Sequence, residues 1–213
     1  MTQDQPQTSP DAIESLFTRA SGDYVFARWG RPIAPVCFGV EDATLEIVKG
    51  AIEACVAIAG HEIAETDPEL GSNLMVFFFA EWDELLDVPR LGDMIPDLEN
   101  KVATLKERKA HQYRAFRFDD EGAIKACFTF VRMSEAMQEV PADVIALSQA
   151  VQAMLLWSDT AFTQDSPLAV APEGTVVRPD VANVLRAAYD PVLPSAARDA
   201  SHALRLYARL IAT

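Results

Sequence analysis

The chain has 213 residues, half of them hydrophobic and 23% charged, enough for one large domain or two small ones around a sizeable core. Its 18 Lys and Arg against 32 Asp and Glu leave a net charge of −14, a surface that repels nucleic-acid phosphates and anionic lipid. No run of about 18 apolar residues and no basic-then-apolar leader is present, so the expectation is a cytoplasmic protein with no membrane segment and no nucleic-acid partner.

Residues 1–10 are rich in Gln, Pro, Thr and Ser and read as a disordered tail, with one domain over 11–213. Ser9 and Pro10 suit an N-cap and first helical residue for a short helix through 11–20, ended by Ser21-Gly22-Asp23. Residues 24–29 alternate as a strand and Gly30-Arg31-Pro32 as a turn. The extended segment 33–40 carries Pro35, which donates no ladder bond and so predicts a sheet edge or a break. Leu45, Val48, Ile52, Cys55, Val56 and Ala59 recur at helical spacing, predicting a helix from Asp42 to Ala59 that stops at Gly60. Residues 61–66 suit a short strand and 68–73 a loop. The nearly continuous apolar run 73–79 predicts a central strand buried on both faces.

Residues 81–109 carry helical patterning broken at Pro89, Gly92 and Pro96, ending in the basic run Lys106, Arg108, Lys109. That run is read as charge favourable to a helix C-terminus, with a contact for an acidic group as the alternative. The strongest hairpin signal is 112–119, Asp120-Glu121-Gly122, then 123–132, with aromatic and β-branched flanks around a turn. Pro141 opens a helix running to about Trp157, followed by a turn-rich segment, a helix over 181–194 and a last amphipathic helix through Ala200, Ala203, Leu204, Tyr207 and Leu210.

The helix after Pro141, the 181–194 segment and their order resemble a bacterial zincin-like, metallopeptidase-like domain family of unknown biological role. In that family one helix carries His-Glu-Glu-x-x-Gln-x-Leu-Gly-x-x-Asn-Asp, and a Leu-x-x-Leu-Tyr-Asp-type helix follows. On that pattern Gln152 and Asp159 match and Ser158 stands where Asn is usual. The His position holds Leu147, and the two Glu positions hold Ser148 and Gln149. The likeness is strongest over 140–194, with a looser echo in 26–39 and 73–79. It implies a zincin-like fold in which the 112–132 hairpin supplies an edge strand that binds peptide by strand addition. A catalytic zinc needs about three His, Glu or Asp ligands and a carboxylate base to deprotonate its water. Neither Leu147 nor Ser148 can take those parts, and Gln149 is a poor ligand, so neither metal nor cofactor is expected.

The remaining constellations carry less. His61-Glu62-Ile63-Ala64-Glu65 has Glu where a zinc motif needs its second His, and is read as a solvated loop or surface ion pair. Glu81, Asp83, Glu84 and Asp87 read as a solvated acidic helix; only burial of one would suit acid–base work. Arg28, Trp29 and Arg31 have the chemistry to grip an anion, although such residues more often pair with local acids. Cys37, Cys55 and Cys127 are far apart in apolar segments and read as reduced core thiols.

These observations lead to an α+β fold with a mixed, mostly antiparallel sheet and helices packed on one face. The expected function is non-catalytic binding of a protein or peptide in a zincin-like cleft, with Gln152, Asp159 and Tyr189 as cleft residues. The alternatives are a hydrolase using carboxylates such as Glu62, Glu65 or Glu81, and a structural subunit of a larger assembly.

Overall fold

The computed structural model describes residues 9–172 and 174–212; residues 1–8, the bulk of the expected tail, lie outside the described residues. Ser9 caps α1 (Pro10–Ser15), its side chain accepting from Ala12 N at 3.1 Å. The extended segment that follows pairs as β1 (Phe26–Ala27) and through single bridges at Tyr24, Arg28 and Trp29. Next come β2 (Pro35–Phe38), α2 (Asp42–Ala59) with Gly60 in the left-handed region at φ 64°, and β3 (Leu74–Phe79). A 3₁₀ turn (Trp82–Leu86), α3 (Leu91–Met94) and α4 (Leu98–Glu107) fill the interrupted stretch. The hairpin is β4 (Gln112–Phe118) and β5 (Ile124–Arg132). After α5 (Glu135–Gln138) come α6 (Ala142–Met154), the hairpin β6 (Leu168–Ala171) and β7 (Gly174–Val177), α7 (Pro179–Ala188), β8 (Ala196–Ala197) and α8 (Ser201–Leu210).

The central sheet has the order β2-β3-β5-β4. Its β2–β3 and β3–β5 pairs are parallel and its β4–β5 pair antiparallel. The small sheets β1–β8 and β6–β7 are antiparallel, so the α+β, mixed and mostly antiparallel character holds over the described pairings while the core sheet itself is largely parallel. Pro35 lies on the edge strand, where its missing N–H costs no ladder bond.

Helices on one face only is corrected. Phe78, Leu74, Cys127 and Val131 point into a core shared with α2, α6 and α7, whereas Phe77, Phe79, Phe128 and Phe130 point the other way, under Trp82, Leu85, Leu91, Ile95 and Val102. A strand apolar on both faces needs cover on both, and successive side chains alternate between faces. The connection β2–α2–β3 supplies one cover and the 82–107 segment the other. The latter is therefore a structural layer with its own core.

Two C-terminal expectations shift. The helix after Pro141 stops at Met154, because Leu155 turns extended and bridges to Arg28, with Leu156 N donating to Ala27 O at 2.9 Å. On α8 the buried face is His202, Ala203 and Leu206, while Leu204 is 58% exposed. The buried stripe is rotated because α8 meets both α1 and α7.

Candidate functional site

The open face of β4 and the C-terminal end of α6 together wall a cleft of about 1060 Å³. β4 ends the sheet. Arg132 N donates to His111 O at 2.8 Å and starts a bonded series that continues 113/130, 115/128 and 117/126. In an antiparallel ladder such pairs alternate, so the backbone N–H and C=O groups of Gln112, Arg114 and Phe116 face away from β5, along the cleft. The Phe116 carbonyl already accepts from Arg117 Nη1 at 3.0 Å, which shortens the free edge at that end.

At the floor, α6 presents Gln149 and Gln152, one turn apart, to the Arg114 side chain. Arg114 Nη1 donates to Gln149 Oε1 at 2.6 Å and Nη2 donates to Gln152 Oε1. Gln149 Nε2 donates in turn to Gln112 Oε1 at 2.7 Å, and Gln152 Nε2 to Ser148 Oγ at 3.0 Å. The five polar side chains orient one another across the gap between helix and strand. The Arg114 side chain still reaches the cleft, but enough protein surrounds its guanidinium that desolvation pushes it down to about 10. It remains charged at neutral pH, and no carboxylate pairs with it among the described residues.

The opposite wall is aromatic. Trp157 stacks on Phe17 with centroids 5.5 Å apart, and Phe162 meets Trp157 edge-on at 5.0 Å. Phe162 sits at φ 61°, the left-handed region that a bulky side chain seldom adopts, and such strain is held where surrounding contacts demand it. Arg19 and Arg198 also border the cleft, with Asp159 and Asp165.

Of the expected cleft residues, Gln152 and Asp159 line this cleft and Tyr189 does not. The Gln152 amide is committed to Arg114 and Ser148. Asp159 is exposed at the lip and accepts from Ala20 N at 2.9 Å. Beside it Ser158 Oγ donates to Thr18 O at 2.6 Å, so the Ser158-Asp159 pair latches the loop after α1. Tyr189 instead ends α7, donates its hydroxyl to Met154 O at 2.7 Å and lies against His61 and Arg28. A half-buried phenol needs an acceptor, and the last carbonyls of a helix such as α6 lack a helical N–H partner. Arg114 and Gln149, the heart of the arrangement, were not singled out as candidate site residues. The signal available in the sequence is two Gln at i, i+3 on a mostly apolar helix, with an Arg on the preceding hairpin.

Zinc does not fit here. Leu147 has no donor atom, and the Gln149 and Gln152 oxygens are spent on a guanidinium whose positive charge would repel a dication. The other constellations are not brought together. Glu62 and Glu65 are exposed on the segment bridging to Ile33, and Glu81, also exposed, forms a capping box with Glu84 and a salt bridge with Arg132 at 3.5 Å. Asp83 pairs with Lys106 at 2.6 Å. His61 Nε2 donates to Arg31 O at 2.9 Å, Arg31 pairs with Asp67 and Glu69, and Trp29 Nε1 donates to Ala153 O at 2.9 Å. All three cysteines are free thiols; burial raises Cys55 to about 12 and Cys37 and Cys127 to about 11. Among the described residues no helix is long and apolar enough to cross a membrane. In comparisons with protein-family models, curated proteins and solved structures, nothing matches this chain.

Proposed function

We infer that this protein is a binding module which takes an extended segment of a protein or peptide partner along β4, and that it is a zincin-like domain whose metal site has been replaced by the Arg114–glutamine cluster. The observation that carries this reading is the open edge of β4 running beside a roomy, aromatic-walled cleft. An added strand would gain main-chain hydrogen bonds from Gln112 and Arg114, and its alternate side chains would enter the cleft. Exposed edges invite unwanted pairing unless they are blunted. Here the Arg117 guanidinium on the Phe116 carbonyl and the rim arginines limit what can approach. Buried, high-pKa thiols and the net charge of −14 agree with work in the cytoplasm, without nucleic acid or membrane. We read the protein as non-catalytic.

The test is amide NMR with a blocked strand-forming heptapeptide, Thr-Val-Thr-Gln-Thr-Val-Thr. Perturbation of the amides of residues 112–116, with β5 and α2 silent, is expected. A response that avoids β4 would refute strand addition. A parallel zinc titration should leave the α6 resonances unmoved, and stoichiometric zinc at Ser148–Gln152 would overturn the loss of the metal site.

A further inference from the structure

We propose that the cleft is a receptor for a carboxylate, and that the segment it takes is an acidic peptide whose Asp or Glu side chain seats on Arg114; this rests on the strand-addition reading above. A desolvated charge is costly unless it is paired. Among the described residues Arg114 has as side-chain hydrogen-bond partners the neutral oxygens of Gln149 and Gln152 and no carboxylate, in a chain with 32 acidic residues. Had the fold needed only to neutralise it, a Glu at either glutamine position would do so with the same reach. The two amides instead hold the guanidinium flat and leave its charge available.

The donor count agrees. A guanidinium carries five N–H groups. One on each terminal nitrogen goes to a glutamine, and the others, including Nε–H, make no hydrogen bond among the described residues. A planar fork of this kind matches the two oxygens of a carboxylate. Arg19 and Arg198 border the same cleft without an ion pair among the described residues, so the local field favours an anion although the whole chain is strongly acidic. Asp159 and Asp165 at the border oppose this in part, and Asp159 is already bonded to Ala20 N. Arg117 takes no share, because its guanidinium lies on the other face of the sheet, against Phe128 and the Met94 carbonyl. The overall charge disfavours long polyanions, whereas one carboxylate on an extended chain is steered by the local arginines and held by the β4 edge.

The experiment compares the blocked heptapeptide above with its partner carrying Glu at the central position, each fluorescently labelled, by anisotropy at low salt. The Glu peptide should bind wild type at least about tenfold more tightly. Read as the ratio of the two peptides' affinities on the same protein, that preference should be abolished by Arg114→Gln and only partly recovered by Arg114→Lys. A third arm titrates wild-type protein with succinate or inorganic phosphate and follows the Arg114 guanidinium NMR signals, which needs neither a variant nor strand pairing. Equal affinity for both peptides would overturn the carboxylate receptor and leave strand addition standing. A succinate response with no peptide on β4 would support the receptor's chemistry and overturn strand addition. Phosphate moving those signals more than succinate would overturn the acidic-peptide assignment.

Discussion

His202 makes folding stability depend on pH in a window where few other groups titrate. It is 3% exposed on α8, against the Phe26 ring at 4.3 Å, and its Nδ1 lies 2.8 Å from the Tyr24 hydroxyl. Burial first, and the Arg205 charge second, push the imidazole down to about 4. At neutral pH His202 is therefore uncharged, and it shares a hydrogen bond with the Tyr24 phenol, which burial keeps protonated. An unfolded histidine titrates near 6.5. Above that value both states are neutral and His202 adds no pH dependence. As pH falls from about 6.5 towards 4, the unfolded chain takes up a proton that the folded one refuses, and stability falls. Those two values give a loss of about 2 kcal/mol by pH 5 relative to pH 7.5. The assay is urea unfolding at pH 7.5, 6 and 5, followed by tryptophan fluorescence, on wild type and His202→Gln. Glutamine does not titrate and offers an oxygen to Tyr24. His61 is also lowered by burial and contributes in the same direction, so the quantity to read is the difference between the two proteins. It should change by about 2 kcal/mol across the range. Parallel pH profiles for the two proteins would refute the buried neutral imidazole.

Two glycines should respond in opposite directions to alanine. Gly39 has φ 80°, and a Cβ there would lie 1.9 Å from the Phe78 carbonyl oxygen, so Gly39→Ala must push β2 off β3; a loss of about 2 kcal/mol or more in thermal or urea unfolding is expected. Gly50 lies inside α2 with open space around it, and Gly50→Ala should add about 0.5–1 kcal/mol. Asn73 is fully buried; its Oδ1 accepts from Ala34 N and its Nδ2 donates to Pro32 O and Asp67 Oδ2, so Asn73→Ala should cost at least about 3 kcal/mol by the same assay. Asp67, held below the usual carboxylate range by backbone N–H groups, Asn73 and Arg31 against the cost of its burial, adds stability above its unfolded pKa. That contribution is lost as pH falls through the folded value; unfolding of Asp67→Asn against pH should lose this acid limb.

Local rules carried much of the fold. Asp42–Ala59 is written in a stripe of spaced apolar residues and a left-handed Gly60, and Leu74–Phe79 in a run too apolar for an exposed strand. Pro35 marked the edge, and the turn at 120–122 marked the hairpin. What the pattern did not show was pairing at a distance. Residues 168–177 read only as turn-rich, although apolar positions flank Pro172 and Gly174, because a four-residue strand leaves little periodicity to see. On α8, Leu204 looked like a core position and His202 did not, since an amphipathic stripe does not say which neighbours it meets. Sheet parallelism likewise depends on crossovers that no local signal encodes.

The cleft follows the same division. That Leu147, Ser148 and Gln149 offer neither a metal ligand set nor a carboxylate base is legible in the sequence. The Arg114–glutamine cluster is not, because a Gln on a helix and an Arg on a strand are each ordinary surface residues until the fold opposes them. Once β4 and α6 meet, Gln149 and Gln152 suit a guanidinium because an i, i+3 spacing sets two amide oxygens on one helix face, where each takes one N–H from a different terminal nitrogen of Arg114. The cleft between the α6 face and the β4 edge then holds a fixed positive charge, and such a charge favours recognition of an anion over binding of a metal cation. If this is the selected feature, Gln149→Glu is the informative variant. It pairs Arg114 internally, so it should stabilise the fold or leave it unchanged, while removing the preference for the Glu-containing peptide. A Gln149→Glu protein that kept that preference would show that Arg114 is a packing element and no receptor.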